Sequence, residues 1–271
     1  MLRRAAPAGV ALMSALALGA WPPPSPAAPD PQALRYGATQ LDCATFHETK
    51  RSELQTYVAG RARRETVGLD GEWRFRAAPG PGDSVRLEGW YDSLDVWRRS
   101  EQDSLKPDTD PIIGGRFRGL LSADGLYRAE ARPYVPDPLL EVADLSRALD
   151  DLLPRLPPRV PPVGETWADG TGMEIRRLAD STGAGPVYRL RTTVRRDAAE
   201  ASLRGDSVPL KLRQSVREDG SFAWDPGKGL LRRDRQITVE TYVPAEARVG
   251  RPVQARIEQR IVLERVKGGC E

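Results

Sequence analysis

Long stretches of this chain alternate strictly between apolar and polar residues. The clearest is 253–266, whose apolar positions on one face are Val253, Ala255, Ile257, Ile261 and Leu263. Successive side chains of a β-strand point to opposite faces, so this period of two predicts a strand with one buried face and one solvated face. Residues 235–243 repeat the pattern, which predicts that the two segments pair as an antiparallel hairpin.

The same alternation predicts strands along most of the chain. Further strands are expected at 53–69, 71–77, 84–91, 116–121, 126–131, 173–178, 187–195, 210–217 and 221–225. Turn-forming residues stand between them at Asp70-Gly71, 79–82, Asp124-Gly125, Asp219-Gly220 and Pro226-Gly227. The protein is therefore predicted to be mainly β.

One segment has the spacing of a helix. Asp137 can cap it and Pro138 occupies the first helical position, where proline is well tolerated. Apolar residues then recur at intervals of three and four, at Leu139, Val142, Leu145, Leu149, Leu152 and Leu153. This pattern predicts one amphipathic helix that ends before Pro154 and packs its apolar stripe on the apolar face of the sheet.

A proline-rich connector follows the predicted helix. Residues 156–167 hold too many prolines for a helix or a central strand, so an extended conformation is expected. We expect a single β-rich domain at 29–271, in two halves, 29–155 and 168–271, that this connector joins.

The first 28 residues are typical of a secretory signal peptide. Two arginines precede an uncharged apolar stretch at 10–20, which is followed by a tryptophan and three prolines. About 20 apolar residues are needed to span a membrane, so the stretch is too short for an anchor. Cleavage is expected after Ala20 or Ala28, with Ala28 preferred. The mature protein is expected to be soluble, without a transmembrane anchor, in the periplasm or outside the cell.

The charge of the mature chain gives no reason to expect nucleic-acid binding. The formal net charge of the whole sequence is +3, and loss of the two arginines in the signal leaves 3 − 2 = +1. A basic protein that binds nucleic acid concentrates a large positive charge. No nucleic-acid partner is expected.

Two cysteines, Cys43 and Cys270, stand near the two ends of the mature chain. In an oxidising compartment such a pair suggests a disulfide. A bridge that closes nearly the whole domain would contribute about 5 kcal/mol in the chain-entropy model. Two free thiols are the alternative.

Few residues point to catalysis. His47 is the only histidine, and the glycine-rich, nucleophile and metal-binding motifs of common enzyme families are absent. The carboxylate pairs Asp108 with Asp110 and Asp150 with Asp151 read as solvated charges. We therefore expect no catalytic residue, no cofactor and no metal, and predict that the protein is not an enzyme.

Aromatic residues offer the clearest candidates for ligand contact. Trp90 and Trp97, together with the helix positions Leu139, Val142, Leu145 and Leu149, are candidate lining residues of a cavity. Large aromatic side chains more often fill sheet cores, so packing is the favoured role of the tryptophans and ligand contact is the alternative.

Two short motifs carry a resemblance to a known family. The segment 161–167 (PPVGETW) follows the predicted helix, and 222–230 (FAWDPGKGL) precedes the terminal hairpin. In both respects the chain resembles an uncharacterised family of exported, β-rich bacterial proteins. That family is similar in outline to the periplasmic lipoprotein-carrier fold, an incomplete β-barrel. The resemblance implies a large curved antiparallel sheet or incomplete barrel, with one amphipathic helix packed on its concave face.

Three hypotheses about function follow. The first is a non-enzymatic envelope protein that binds or carries an apolar or lipid-like ligand. The second is a structural module that binds another envelope protein through a sheet edge. The third, least favoured, is a hydrolase with a carboxylate site that its motifs do not reveal. A cavity between helix and sheet is the feature that separates them.

Overall fold

The computed structural model describes residues 34–58, 60–179, 187–198, 212–245 and 251–266. All of them belong to one compact unit, Gln32–Glu271. Their strands are β1 Thr45–Val58, β2 Arg61–Pro79, β3 Val85–Ser100, β4 Ser104–Leu105, β5 Phe117–Leu121, β6 Tyr127–Ala131, β7 Thr166–Ala168, β8 Met173–Arg177, β9 Tyr188–Ala198, β10 Arg213–Asp225, β11 Gly229–Val243 and β12 Val253–Val266. Helical structure is limited to α1 Ala38–Leu41, α2 Asp137–Leu140 and a 3-10 turn, Leu145–Arg147.

The strands form one curved, open, antiparallel sheet of twelve strands. The order across it is β6-β5-β3-β2-β1-β12-β11-β10-β9-β8-β7, with β4 paired to β3. The first strand of the sheet therefore pairs with the last, and Thr45 lies opposite Val266. The predicted mainly β, incomplete-barrel class is confirmed, as are the terminal strand 253–266 and its antiparallel partner.

Two predicted turns are wrong because their glycines lie inside strands. Gly71 is a residue of β2, and a Cβ added there would lie 3.1 Å from side-chain atoms of Leu94 and Tyr91. Gly220 is a residue of β10, and a Cβ would lie 2.8 Å from Oγ1 of Thr192. Glycine serves close packing here, which the sequence alone does not separate from a turn. The predicted strand 53–69 also spans two strands, β1 and β2.

The predicted continuous helix is wrong, although its apolar residues are buried. Only α2 and the 3-10 turn are helical within 137–153, a segment that we call the plug. Asp144 interrupts the helix, since its carboxylate accepts hydrogen bonds from the backbone N–H and the hydroxyl of Ser146. Short acidic side chains compete in this way with helical backbone bonds. Leu139, Val142, Leu145, Leu149, Leu152 and Leu153 are all at most 7% exposed.

The plug lies over one face of the sheet, which we call the covered face. At its centre Trp73 is fully buried, and its ring contacts Tyr91 and Phe117 at centroid distances of 4.0 and 5.4 Å. Phe46 and Phe75 complete the aromatic cluster. Such rings bury a large apolar area, and the cluster thus anchors β1, β2, β3 and β5 together.

The opposite face, which we call the open face, is covered with charged side chains. Exposed ion pairs cross between neighbouring strands there, among them Arg191 with Asp219, Arg232 with Glu264, and Arg256 with Glu240. Each such pair contributes about 0 to 1 kcal/mol. The two faces therefore differ sharply in polarity, as the alternating sequence predicts. Within the described residues, none of the helices has the length and apolar character needed to cross a membrane.

Replacing Leu139 by alanine tests the packing of the plug. Leu139 is fully buried and the adjacent Leu140 is 41% exposed. We expect Leu139→Ala to lower the free energy of unfolding by about 2–5 kcal/mol, because it leaves a cavity. Leu140→Ala should change it by less than about 0.5 kcal/mol. Equilibrium urea unfolding measures both, and equal losses would contradict this packing.

Candidate functional site

A cavity of about 260 Å³ separates the plug from the covered face. We call it the plug cavity. Its apolar lining includes Leu69, Leu145, Leu152, Ile237, Ile261 and Leu263. Its charged lining consists of Glu48, Lys50, Asp144, Arg147, Asp151, Arg233 and Arg235. Strands β1, β2, β3, β11 and β12 supply the floor, and the plug supplies the roof. The cavity is therefore amphipathic.

Glu48 is the buried carboxyl group of the cavity, at 6% exposure. One of its oxygens, Oε2, accepts hydrogen bonds from Nε1 of Trp73 at 2.8 Å and from the hydroxyl of Tyr91 at 3.0 Å. Burial raises the pKa of this carboxyl, and the two hydrogen bonds and the nearby Lys50 and Arg235 oppose the rise without cancelling it. The neutral acid is thus favoured over a wider pH range than in water.

Two arginines of β11 bind the plug to the sheet. Nη1 of Arg233 donates to the carbonyl oxygens of Asp151 and Leu152 at 2.6 and 2.9 Å, and Nη1 of Arg235 donates to that of Asp151 at 3.2 Å. Nη2 of Arg235 also donates to Glu218 at 2.6 Å. Burial, and then the neighbouring Arg235, lower the pKa of Arg233 to about 10. Arg233 therefore remains charged at neutral pH. The hydrogen bonds of both arginines hold the plug in register.

An apolar strip continues from the cavity along the covered face. Leu54, Ile257, Val239 and Val216 lie opposite one another on β1, β12, β11 and β10. Ile237, which lines the cavity, is two residues before Val239 on the same face. The four side chains of this row are half-buried and lie outside the buried core. Ile237 thus links the cavity to the strip, and its neighbours in the same row, Gln259 and Glu218, are polar.

An arginine-lined recess of about 870 Å³ flanks the outer end of the strip. Leu54 and Val58 line it together with Arg61, Arg63 and Arg98. Arg98 is paired with Glu65 and Asp103 at 3.7 and 3.6 Å. Charged and polar side chains thus dominate the lining of this recess.

The candidate lining residues divide between the two faces of the sheet. Leu139, Val142, Leu145 and Leu149 are buried in the plug, and Leu145 lines the cavity. Trp90 and Trp97 lie on the open face instead. Arg116 stacks on Trp90 at 3.5 Å, while Arg51 and Arg99 each stack on Trp97 at 4.9 Å. The structure therefore does not bring the two tryptophans together with the leucines. A ligand-lining role for this whole set stays a prediction.

The remaining candidate residues lie away from the cavity. His47 is on the open face, with Nε2 3.5 Å from a carboxylate oxygen of Asp70. Cys43 precedes β1 and adopts a left-handed backbone conformation, φ 57°, which is unusual for a residue with a side chain. Cys270 and the segment 1–28 lie outside the described residues, so the disulfide and the signal peptide stay predictions.

Within the described ranges, no group of three or more His, Cys, Asp or Glu residues could hold a metal ion. The suspected carboxylate pairs are used in local structure. Asp150 binds Arg132 and Arg147 at 2.8 and 2.9 Å, and Asp108 accepts a hydrogen bond from the backbone of Asp110.

The charged lining of the cavity was missed from the sequence, although a signal existed. Glu48 and Lys50 are in phase with Phe46 and Leu54 on β1, so the alternation places them on the covered face. Arg235 is likewise in phase with Ile237 on β11. Charged side chains at inward positions of a strand mark a polar feature in the core.

Replacing Glu48 by glutamine tests the state of the buried carboxyl. The amide oxygen can still accept from Trp73 and Tyr91, but no proton is lost. The pKa of Glu48 is raised in the folded state. The contribution of this carboxyl to the stability of the parent is therefore fully present below its pKa in the unfolded chain, near 4.5, and is lost as the pH rises through the folded pKa. We expect the unfolding free energy of Glu48→Gln, relative to the parent, to increase over that range. Urea unfolding at several pH values measures this difference in unfolding free energy. A difference that does not change with pH would contradict the raised pKa of Glu48.

No family model matches the chain, and no curated protein matches it. Two solved structures are similar to it. One, described as lipid–protein interactions in lipovitellin, is 10% identical with a TM-score of 0.42, and the match covers 85% of this chain and 26% of that chain. The other, a DUF1329 family protein from Desulfovibrio piger, is 12% identical with a TM-score of 0.16, and the match covers 80% and 84%.

This chain spans about a quarter of the lipovitellin chain. At such TM-scores neither likeness informs about function. The open antiparallel sheet is what establishes the fold class.

Proposed function

We propose that this protein is an exported, non-enzymatic envelope protein that binds a lipid-like ligand on the covered face of its sheet. The observation that carries the proposal is the link that Ile237 makes between the plug cavity and the apolar strip. Ile237 lines the cavity, and Val239 and Ile257 extend the apolar surface beyond it. Ligand sites are typically concave and mostly apolar, with a few polar groups that fix orientation.

The dimensions of the site favour a slender ligand. A cavity of about 260 Å³ is smaller than the usual range for drug-sized ligands, which begins at about 300 Å³. A single acyl chain could place one end in the cavity and lie along the strip for the rest of its length. Burial of its methylene groups would supply about 0.8 kcal/mol each.

The second hypothesis, an interaction through a sheet edge, receives less support from the strands. The outermost strands are β6 with five residues and β7 with three. Along β3, the loop before β5 satisfies carbonyl groups, since Gly114 N–H donates to Tyr91 and Thr109 Oγ1 donates to Leu94. Short or covered edges offer few free backbone groups to a partner strand.

Native mass spectrometry of protein purified from its own cells tests the proposal directly. We expect a fraction of the protein to carry an added mass that organic extraction removes and that fragments as a lipid. Repeated recovery of protein without any such mass, combined with no uptake of added long-chain amphiphiles, would overturn it.

A charge placed on the apolar strip should weaken binding. Ile257→Glu introduces a carboxylate at the centre of the row that includes Leu54 and Val239. Gln254→Glu is the matched control, because Gln254 is exposed on the same strand and faces the opposite way. Displacement of a fluorescent acyl probe should show about tenfold weaker affinity for Ile257→Glu, as expected for loss of 1–2 kcal/mol of apolar burial. The control should bind like the parent, and equal affinities of the two variants would contradict the site.

A further inference from the structure

We propose that the ligand is a single-chain anionic amphiphile whose head group is held in the plug cavity by Lys50 and Arg235. This inference rests on the proposed function and adds the charge of the ligand and the residues that bind its head group. It depends on the ammonium group of Lys50 and the Nε of Arg235, neither of which is hydrogen-bonded to another described residue.

Lys50 is a cation without a partner in the part of the chain that the structure describes. It lines the cavity and is in phase with the buried face of β1. No hydrogen bond or ion pair joins its ammonium group to another described residue. A lysine that faces a cavity can form a charge-assisted hydrogen bond with an anion that enters it.

The side chain of Arg235 also has a donor that makes no hydrogen bond. Its Nη1 and Nη2 groups bind the plug carbonyl and Glu218, but its Nε is buried and has no hydrogen-bond partner. The side chain is only 11% exposed. Buried donors are almost always paired, so this Nε is available to an anion that enters the cavity.

Two of the three carboxyl groups of the cavity, Glu48 and Asp144, are already used in other hydrogen bonds. Glu48 uses one oxygen for Trp73 and Tyr91, and its raised pKa favours the neutral acid. Asp144 accepts two hydrogen bonds from Ser146 within the plug. Four cationic and three acidic side chains line the cavity, so the balance of formal charge is positive.

The position of these cations relative to the apolar strip fixes the kind of anion. Arg235 is followed on the same face of β11 by Ile237 and then Val239, so the apolar surface begins directly beside Arg235. A free inorganic anion would leave that surface unused. A carboxylate or phosphate on one acyl chain satisfies both the unpaired donors and the strip.

The test compares ligands of equal chain length that differ only in head-group charge. A long-chain fatty acid, its methyl ester and the corresponding monoalkyl phosphate are titrated into the full chain, followed by displacement of a fluorescent acyl probe. We expect the parent to bind the acid or the phosphate about tenfold or more tightly than the ester, as for a hydrogen bond to a charged group. Which of the two anions binds better identifies the head group.

Lys50→Gln should remove most of that preference while leaving affinity for the ester unchanged. Arg51→Gln is the matched control, since Arg51 is the next residue, is also cationic, and lies on the open face over Trp97. The control should keep the preference, and urea unfolding verifies that both variants fold. Equal binding of acid, phosphate and ester by the parent, or an undiminished preference in Lys50→Gln, overturns this inference alone. Binding of none of the three overturns the proposed function as well.

Discussion

The exclusion of water from one face of the sheet by the plug is the constraint on which the rest of this structure depends. That cover is attached by charge-assisted hydrogen bonds, from the guanidinium groups of Arg233 and Arg235 to backbone carbonyl oxygens at 151 and 152. Burying two cations is costly, and here plug carbonyls and Glu218 offset the cost. A plug held by apolar contacts alone could slide, whereas these bonds define one position and leave a defined cavity beneath it.

Much of this fold is predictable from the sequence, because alternation between apolar and polar residues indicates which side chains share a face. The terminal strand 253–266 is the clearest case. Burial of the plug leucines is equally predictable, since their spacing marks an apolar stripe. The conformation of the plug is not, because it depends on whether the Asp144 carboxylate binds Ser146 or leaves the backbone to form a helix. Helix propensity does not distinguish the Asp144–Ser146 hydrogen bond from helical backbone hydrogen bonds of similar free energy.

The candidate site was harder to predict, and the tryptophans show why. Trp90 and Trp97 are seven residues apart on β3, so simple alternation places them on opposite faces. A β-bulge, where the register with β2 shifts between Glu72 and Trp73, brings both onto the open face. A bulge adds one residue to a strand, so every later side chain lies on the face opposite to the one that alternation predicts. Face assignments from sequence therefore hold only up to the first bulge.

An arginine-rich set of strands is unusual for a protein that binds an apolar ligand, and the separation of the two faces resolves the conflict. Most strand arginines are on the open face, where pairs such as Arg260 with Asp234 neutralise them in contact with solvent. On the covered face the inward cations are few and adjoin apolar side chains such as Ile237 and Ile261. Because open-face charge is screened and paired, it has little influence on a ligand on the other side. Abundant arginine is thus compatible with an apolar site, and the informative cations are those that line the plug cavity.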